Sequence, residues 1–207
     1  MISKVLELSE VRKSFDGGKV KVLNDITFVG KEGEFVAIED KSGAGKSTLL
    51  KVIAGFLSID GGRIERKYNG NCGFIFQDFF MDESLNVAEN IMLPGMIAGM
   101  SKKSREARLG ELLKGDSGDI GGILLRKINS ISGGQLQRVA IMRAIFCAPK
   151  LILADEATSN LDDENAVLFL TTLRKLCDNG MSLIIATHDA RVKSFADRII
   201  KIENGRI

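Results

Sequence analysis

The chain has no apolar run near the ~20 residues needed to cross a bilayer. Any role at a membrane must therefore run through a partner. The N-terminus, MISKVLELSEVRKSF, carries acidic residues early and no unbroken apolar segment, so it reads as neither a signal nor a transit peptide. Cys72, Cys147 and Cys177 stand alone without a C-x-x-C pair, which argues against a zinc site, a redox motif or a disulfide framework. A reduced, cytoplasmic setting fits. Proline occurs only at positions 94 and 149, and neither a low-complexity linker nor an internal repeat is visible. Net charge is only +2, so nothing global points to nucleic acid or an acidic surface as partner. What remains is ordinary globular material, 44% hydrophobic and 27% charged, and 207 residues suffice for one sizeable α/β domain or one domain with a small lobe.

Glycine supplies most of the punctuation. Short β-rich runs come first, at Val5–Leu8, Lys19–Leu23, Ile26–Val29 and Phe35–Ile38. Ser47–Gly55 reads as a helix with Leu49, Leu50, Ile53 and Ala54 on one face and Gly55 as its stop. Two short strands follow near Arg63–Glu65 and Cys72–Phe76. Residues 85–114 look helical, with Leu85, Ala88, Ile91 and Met92 on one face and Pro94 ending that segment. Ser101 caps a second helix that turns Leu109, Leu112 and Leu113 inward, and residues 115–130 are glycine-rich and irregular. Helix Gly133–Cys147, strand Leu151–Asp155, helix Glu164–Leu176, strand Ser182–Thr187, helix Ala190–Ala196 and strand Arg198–Ile202 then alternate. Leu151–Ala154 and Leu183–Ala186 are continuous apolar runs, as buried parallel strands are. The pattern predicts βαβ units with helices on both faces of a mostly parallel sheet, interrupted by a helical lobe.

The stretch EDKSGAGKST, residues 39–48, falls between a buried strand and a helix. It fits the end of the phosphate-loop pattern G-x-x-x-x-G-K-[ST], but Asp40 stands where the first glycine belongs. Glycines let backbone N–H groups converge on a phosphate, and the helix adds its positive end. Ser42, Gly43, Ala44, Gly45, Lys46, Ser47 and Thr48 would form the cradle. Lys46 would reach the β- and γ-phosphates and the Ser47 hydroxyl would hold Mg²⁺. The alternative is a plain glycine-rich turn before a helix.

LILADE, Leu151–Glu156, drives a strand through the core and delivers two carboxylates at its C-terminal end, the edge where open α/β sheets bind ligands. Asp155 would serve the metal and Glu156 would polarise the attacking water; otherwise the two acids merely end a strand. In ISGGQ, Ile131–Gln135, Ser132 and Gln135 have capping-box spacing. A cap does not explain two glycines, Gly133 and Gly134, in the first turn of a helix. Bare backbone there suits the close approach of an anion. His188, the only histidine, follows the strand Ser182–Thr187 at the same edge and is placed to meet a γ-phosphate.

Taken together, these motifs resemble the nucleotide-binding subunit of ATP-binding cassette transporters along essentially the whole chain. SGAGKST resembles that family's Walker A motif, LILADE its Walker B and SGGQ its signature. SNLD, ending at Asp162, resembles the D-loop, and Gln77 and His188 fall where the Q-loop and H-loop belong. The resemblance implies one domain over 1–207 with a P-loop NTPase core, a small antiparallel β-lobe and a helical subdomain near 82–145. It implies an ATPase that uses ATP and Mg²⁺, with Ser47, Gln77 and Asp155 around the metal and Glu156, His188, Gln77 and Lys46 in catalysis. Phe15 stands where the family stacks an aromatic on adenine, or is simply a core phenylalanine.

Two copies would sandwich ATP, with Ser132, Gly133, Gly134 and Gln135 of one reaching the nucleotide of the other. A separate integral membrane permease would hold the pair at the inner face of the cell membrane, docked on Phe79–Met81 and on Met92–Met100; a helical core is the other reading for Met92. GEFVAI, LADEATSNLD and THDARVKSFADRIIKIENGRI are most similar to the branch that exports lipoproteins, macrolides and antimicrobial peptides. A soluble member acting on ribosomes or DNA would carry two cassettes or a long coiled coil, which 207 residues do not hold.

Several positions depart from the pattern. Ala157 stands where many members have proline, and the stretch from Lys46 to Gln77 is short, so part of the β-lobe looks trimmed. Asp40 matters most. At about 6–8 Å and an effective dielectric of about 20, two like charges repel by roughly 2–3 kcal/mol. Lys41, Lys46 and Mg²⁺ offset much of that, so weakened rather than abolished ATP binding is expected. A regulatory module without turnover is the competing reading, opposed by the presence of Glu156 and His188.

Overall fold

The computed structural model describes residues 3–39, 45–68, 71–116 and 120–207. The chain divides into two units, Met1–Gln77 with Lys150–Ile207, and Asp78–Pro149.

The first unit holds two sheets. In one, β1 (Lys4–Phe15) pairs antiparallel with β2 (Val20–Lys31) and with β4 (Gly61–Arg66). The runs Lys19–Leu23 and Ile26–Val29 prove to be one strand. Asp25, at φ 55, forms an irregularity where Ile26 pairs Val11 and Leu23 pairs Lys13. The polar pair Asn24–Asp25 looks like a break in sequence, but it is a bulge that bends a continuing ladder. The register of β1 likewise shifts between Leu8 and Val11, around Glu10 at φ 50, so β1 runs well past Leu8.

The other sheet is wholly parallel, in the order β5 (Cys72–Ile75), β6 (Leu151–Asp155), β7 (Ser182–Ala186), β3 (Phe35–Glu39) and β8 (Arg198–Lys201). All of β7, and every residue of β3 and β6 but the last, is buried. Such strands need apolar residues on both faces, which is why they read as unbroken hydrophobic runs. Helix α1 (Lys46–Ala54) buries Leu49, Leu50, Val52 and Ile53. It ends on Gly55 in the left-handed conformation, and its last carbonyls accept hydrogen bonds from Arg66 and Tyr68: Arg66 Nε and the Tyr68 hydroxyl both reach the Ile53 oxygen, at 2.8 and 2.6 Å. Helix α5 (Asp163–Asp178) buries Ala166, Phe169, Leu170, Leu173 and Cys177, whose thiol burial pushes up to about 12. The helix expected over Ala190–Ala196 is a short 3-10 helix, Ala190–Ser194, started by the Asp189 carboxylate accepting from the Arg191 amide.

The second unit packs α2 (Val87–Ile97), α3 (Lys102–Lys114) and α4 (Gly133–Ile145) around Val87, Ile91, Leu109, Val139, Met142 and Phe146. Pro94 lies inside α2 rather than ending it. The helix continues one more turn, with the Ala98 amide bonded to the Pro94 carbonyl, because packing of this apolar helix outweighs one missing N–H. Met92 and Met100 pack against this core, as does Met81, and Phe79 is buried. The expected docking residues therefore split: Phe80, Met96 and Ile97 are the large apolar ones that are exposed.

The segment leading into α2 hangs on two buried side chains. Asn90 is fully buried; its Oδ1 accepts from the Asp82 amide at 2.9 Å, and its Nδ2 donates to the Asp82 and Asn86 carbonyls at 3.0 Å each. Arg143 donates to the carbonyls of Phe79 and Phe80, both in left-handed conformations. Among the described residues, no helix is long and apolar enough to cross a membrane.

Two stability predictions follow from these anchors. Asn90→Ala removes the acceptor of the Asp82 amide, while the Asp82 carbonyl keeps the Leu85 amide, and is expected to cost about 1–3 kcal/mol, read as a lower urea midpoint. Asp60 accepts from the Ser14 hydroxyl and amide, both at 2.6 Å, and from Lys13 at 3.0 Å. The Ser14 hydroxyl above all, then Lys13, lowers its carboxyl from 3.8 to about 2. A depressed carboxyl stabilises the fold above its unfolded value and loses that contribution as pH falls through the folded one. The urea midpoint of Asp60→Asn should therefore lie below the parent's at pH 6, and the gap should close between about pH 4 and pH 2.

Candidate functional site

The parallel pairing of β6, β7 and β3 brings three C-terminal strand ends to one edge. Ala154 pairs Ile185 and Asp155 pairs Ala186, so the carboxylates that end β6 emerge beside the loop that leaves β7. β3 ends next to them and leads into the loop before α1. Asp40, Lys41, Ser42, Gly43 and Ala44 lie outside the described residues.

Gly45 precedes α1 at φ 99, and an added Cβ would stand 2.9 Å from the Val22 carbonyl oxygen. Conformation and space both demand glycine there. It lets α1 begin at the sheet edge with Lys46 as its first residue. The Lys46 side chain is only 8% exposed, and its Nζ stands 3.6 Å from Glu156 Oε1. The other Glu156 oxygen, Oε2, is 2.8 Å from His188 Nδ1 and accepts from the His188 amide at 3.3 Å. One carboxylate is thus held between a buried cation and the imidazole.

Glu156 adopts φ 48, a left-handed conformation that is uncommon for a non-glycine residue. Its amide donates to the Ala186 carbonyl at 2.8 Å, and its carbonyl accepts from the Ser159 amide and hydroxyl. Those bonds hold the side chain against its backbone strain.

Ser47 sits one residue further along α1 and donates its hydroxyl to Asp155 Oδ1 at 2.8 Å. Burial pushes the Asp155 carboxyl above the ordinary carboxylate range. The Ser47 hydrogen bond opposes the shift, and the neighbouring Glu156 charge adds to it. A half-buried carboxylate oxygen meeting a hydroxyl is a hard-oxygen pair that a divalent cation would satisfy, and a cation would relieve the charge that burial disfavours. The residues present therefore fit Mg²⁺ brought in with a phosphate chain.

The other expected residues are placed less closely. Thr48 follows in α1. Gln77, exposed, comes just after β5, the strand beside β6. Phe15 ends β1 with 39% of its surface exposed and the Lys13 ammonium 5.6 Å from its ring centre, so it is no core residue. Asp162 is the N-cap of α5 and accepts from the Asn165 amide at 2.8 Å.

In the second unit, Ser132 and Gln135 form the full capping box at the start of α4. Gly133 and Ser132 are exposed, and a Cβ on Gly133 would meet nothing within 4 Å. Nothing in the chain's own packing among the described residues calls for glycine there. The reading from sequence assigned no role to Asp189 or Arg191, which join the His188 loop to the start of α5. An aspartate two residues before an arginine, just past a strand, was the available signal of a side-chain-capped turn.

The ABC transporter family matches residues 23–159. An uncharacterized ABC transporter ATP-binding protein of Thermotoga maritima is 38% identical, the match covering 100% of this chain and 94% of the relative. A putative hemin import ATP-binding protein, HrtA, of Staphylococcus epidermidis is 39% identical over 98% of each chain. The macrolide export ATP-binding/permease protein MacB of Aggregatibacter actinomycetemcomitans is 37% identical over 98% of this chain, which spans 34% of that longer protein. Among solved structures, the dimeric structure of a bacterial ABC transporter cassette superposes with a TM-score of 0.83 at 32% identity, covering 98% of this chain and 96% of that one. The same values hold for a cassette dimer in a post-hydrolysis state bound to ADP and phosphate. With its parallel sheet, its antiparallel sheet and its phosphate-loop helix, the chain belongs to the ABC transporter family and is an ATP-hydrolysing cassette.

Proposed function

We propose that this cassette binds Mg²⁺–ATP, pairs with a second copy of itself and drives a separate membrane permease that exports a peptide, lipoprotein or drug. The observation that carries the reading is Glu156, held between Lys46 and His188 beside the Ser47–Asp155 pair. Residues 42–48 cradle the phosphates from backbone N–H groups, and Lys46 turns its ammonium to the β- and γ-phosphates. That move withdraws the cation from Glu156 and leaves the carboxylate able to accept a proton from water. The water oxygen then bonds to the γ-phosphorus as the bond to the ADP oxygen breaks, with His188 against the γ-phosphate and Gln77 orienting the water. Ser47, Asp155 and Gln77 would hold Mg²⁺, which would neutralise charge on the phosphates. The exposed Phe15 ring stacks on adenine.

Ser132, Gly133, Gly134 and Gln135 meet the nucleotide of the second copy. The open space at Gly133 supports this, since only an outside group would come close to it. Phe80, Met96 and Ile97 offer the permease an apolar surface. Docking there keeps the pair at the cytoplasmic face of the membrane. The macrolide-export role named for MacB supports export as the direction, while HrtA is named for import of hemin.

Glu156→Gln is expected to lower phosphate release at least about 100-fold while ATP-dependent dimerisation, followed by light scattering, persists. Absence of release by the unmodified protein, even with its permease, would overturn the transport-ATPase reading. Asp40→Gly is expected to tighten ATP binding by about three- to tenfold, the share of the repulsion that Lys41 and Lys46 leave uncancelled. An unchanged dissociation constant in a nucleotide titration would remove Asp40 from the account.

A further inference from the structure

Two loops leave the sheet edge side by side. One runs from Glu156 to Asp162, the N-cap of α5. The other carries His188 from the end of β7 into the short helix Ala190–Ser194. Near the sheet they are joined by the Glu156 amide on the Ala186 carbonyl and by His188 on the Glu156 carboxylate.

A second tie lies further out and uses residues given no role in the proposed function. Arg191 Nε donates to both oxygens of Asp189, at 2.9 and 3.0 Å, and its Nη2 stands 2.8 Å from Oδ2. Nη1 of the same guanidinium donates to Asp163 Oδ1 at 2.6 Å. The Asp189 side chain is 9% exposed, and its oxygens also receive the Arg191 amide at 2.9 Å. Burial pushes the Asp189 carboxyl up, but the hydrogen bonds from Arg191 and Thr158 and the Arg191 charge together bring it below its usual range.

The geometry matters because of what adjoins it. Asp189 directly follows His188, and Asp163 directly follows Asp162. Asp162 is itself fixed, since its carboxylate accepts from the Asn165 amide and side chain at 2.8 Å each. An exposed ion pair such as Arg191–Asp163, with Asp163 97% exposed, adds little to stability. A planar fork that grips two carboxylates does fix their relative position, which an ammonium on a flexible stem does not.

We propose that Arg191 is a positioning residue for ATP hydrolysis: by gripping Asp189 and Asp163 together it registers the turn that ends at Asp162 against the loop that presents His188. The proposal rests on the roles given to Glu156 and His188 above. The hydrolytic pair and the turn that ends at Asp162 then move as one body.

The test compares Arg191→Ala, Asp163→Ala, their double variant and Arg191→Lys, with Arg63→Ala in a distant exposed ion pair as control. Phosphate release is followed against ATP concentration, ATP affinity is measured in the Glu156→Gln background, and thermal unfolding is recorded for each. His188 is the only histidine of the chain, so its ring C–H signals are unambiguous by NMR. Each single alanine variant should lower kcat about tenfold, the double no further, and Arg191→Lys should recover little. ATP affinity and the unfolding temperature should hold, and the His188 signals should shift in every variant but Arg63→Ala. Unchanged kcat, additive losses in the double variant, or His188 signals identical to the parent's would overturn the clamp. If the unmodified protein showed no turnover, the transport-ATPase reading would fall by itself. The His188 signals would then decide only whether Arg191 registers the two loops, shifted signals keeping that tie and unshifted ones removing it.

Discussion

The parallel ladder that joins β6, β7 and β3 is the constraint on which the rest depends. Parallel strands end on the same side, so one register decides that Asp155, Glu156 and His188 emerge together and that β3 ends beside them. The ladder in turn requires strands buried on both faces, and this chain supplies them as FVAIE, LILAD and SLIIA. Helix α1 completes the arrangement by packing Leu49, Leu50, Val52 and Ile53 inward while its first turn, Lys46 and Ser47, reaches the same edge.

That edge concentrates charge the fold would otherwise avoid. Lys46 is buried, Asp155 is half-buried with its carboxyl pushed up, and Glu156 sits in a left-handed backbone conformation. Each is a local cost, and each is compensated by a specific neighbour. Glu156 answers Lys46, the Ser47 hydroxyl answers Asp155, and the Ala186 carbonyl together with Ser159 holds the Glu156 backbone. Under the proposed function, phosphates would take over Lys46 and a cation would take over Asp155.

The second unit solves a different problem. Its helices form an apolar core of their own, yet the chain that enters the unit is irregular through Phe79 and Phe80, both left-handed. Buried Arg143 and Asn90 satisfy the carbonyls and the amide of that segment, so it keeps one conformation without regular structure. The exposed Phe80 ring is carried on a backbone held from inside. Helix α4 carries two features at its start. Ser132 and Gln135 finish its N-terminus, while Gly133 leaves the backbone beside them open.

Much of this was legible in the sequence, because its signals are local or periodic. Apolar runs marked β3, β6 and β7; spacing marked α1, α3 and the start of α4; and the order of the motifs marked the family. The misreadings came where long-range packing overrode local cues. Asn24–Asp25 read as a strand break and is a bulge in β2, because β1 continues alongside it. Pro94 read as a helix end and lies within α2, whose apolar faces keep the last turn in place. Phe79 and Phe80, adjacent and chemically alike, point to opposite fates, one buried and one exposed. By itself the sequence determined which residue types are available for phosphate, metal and proton chemistry, and in what order along the chain. Only the tertiary structure decided that Glu156 is shared between Lys46 and His188, and that Arg191 grips both Asp189 and Asp163. Apart from Asp189, two residues from Arg191, those partners lie tens of residues apart, and the register of parallel strands, which no local pattern encodes, brings them together.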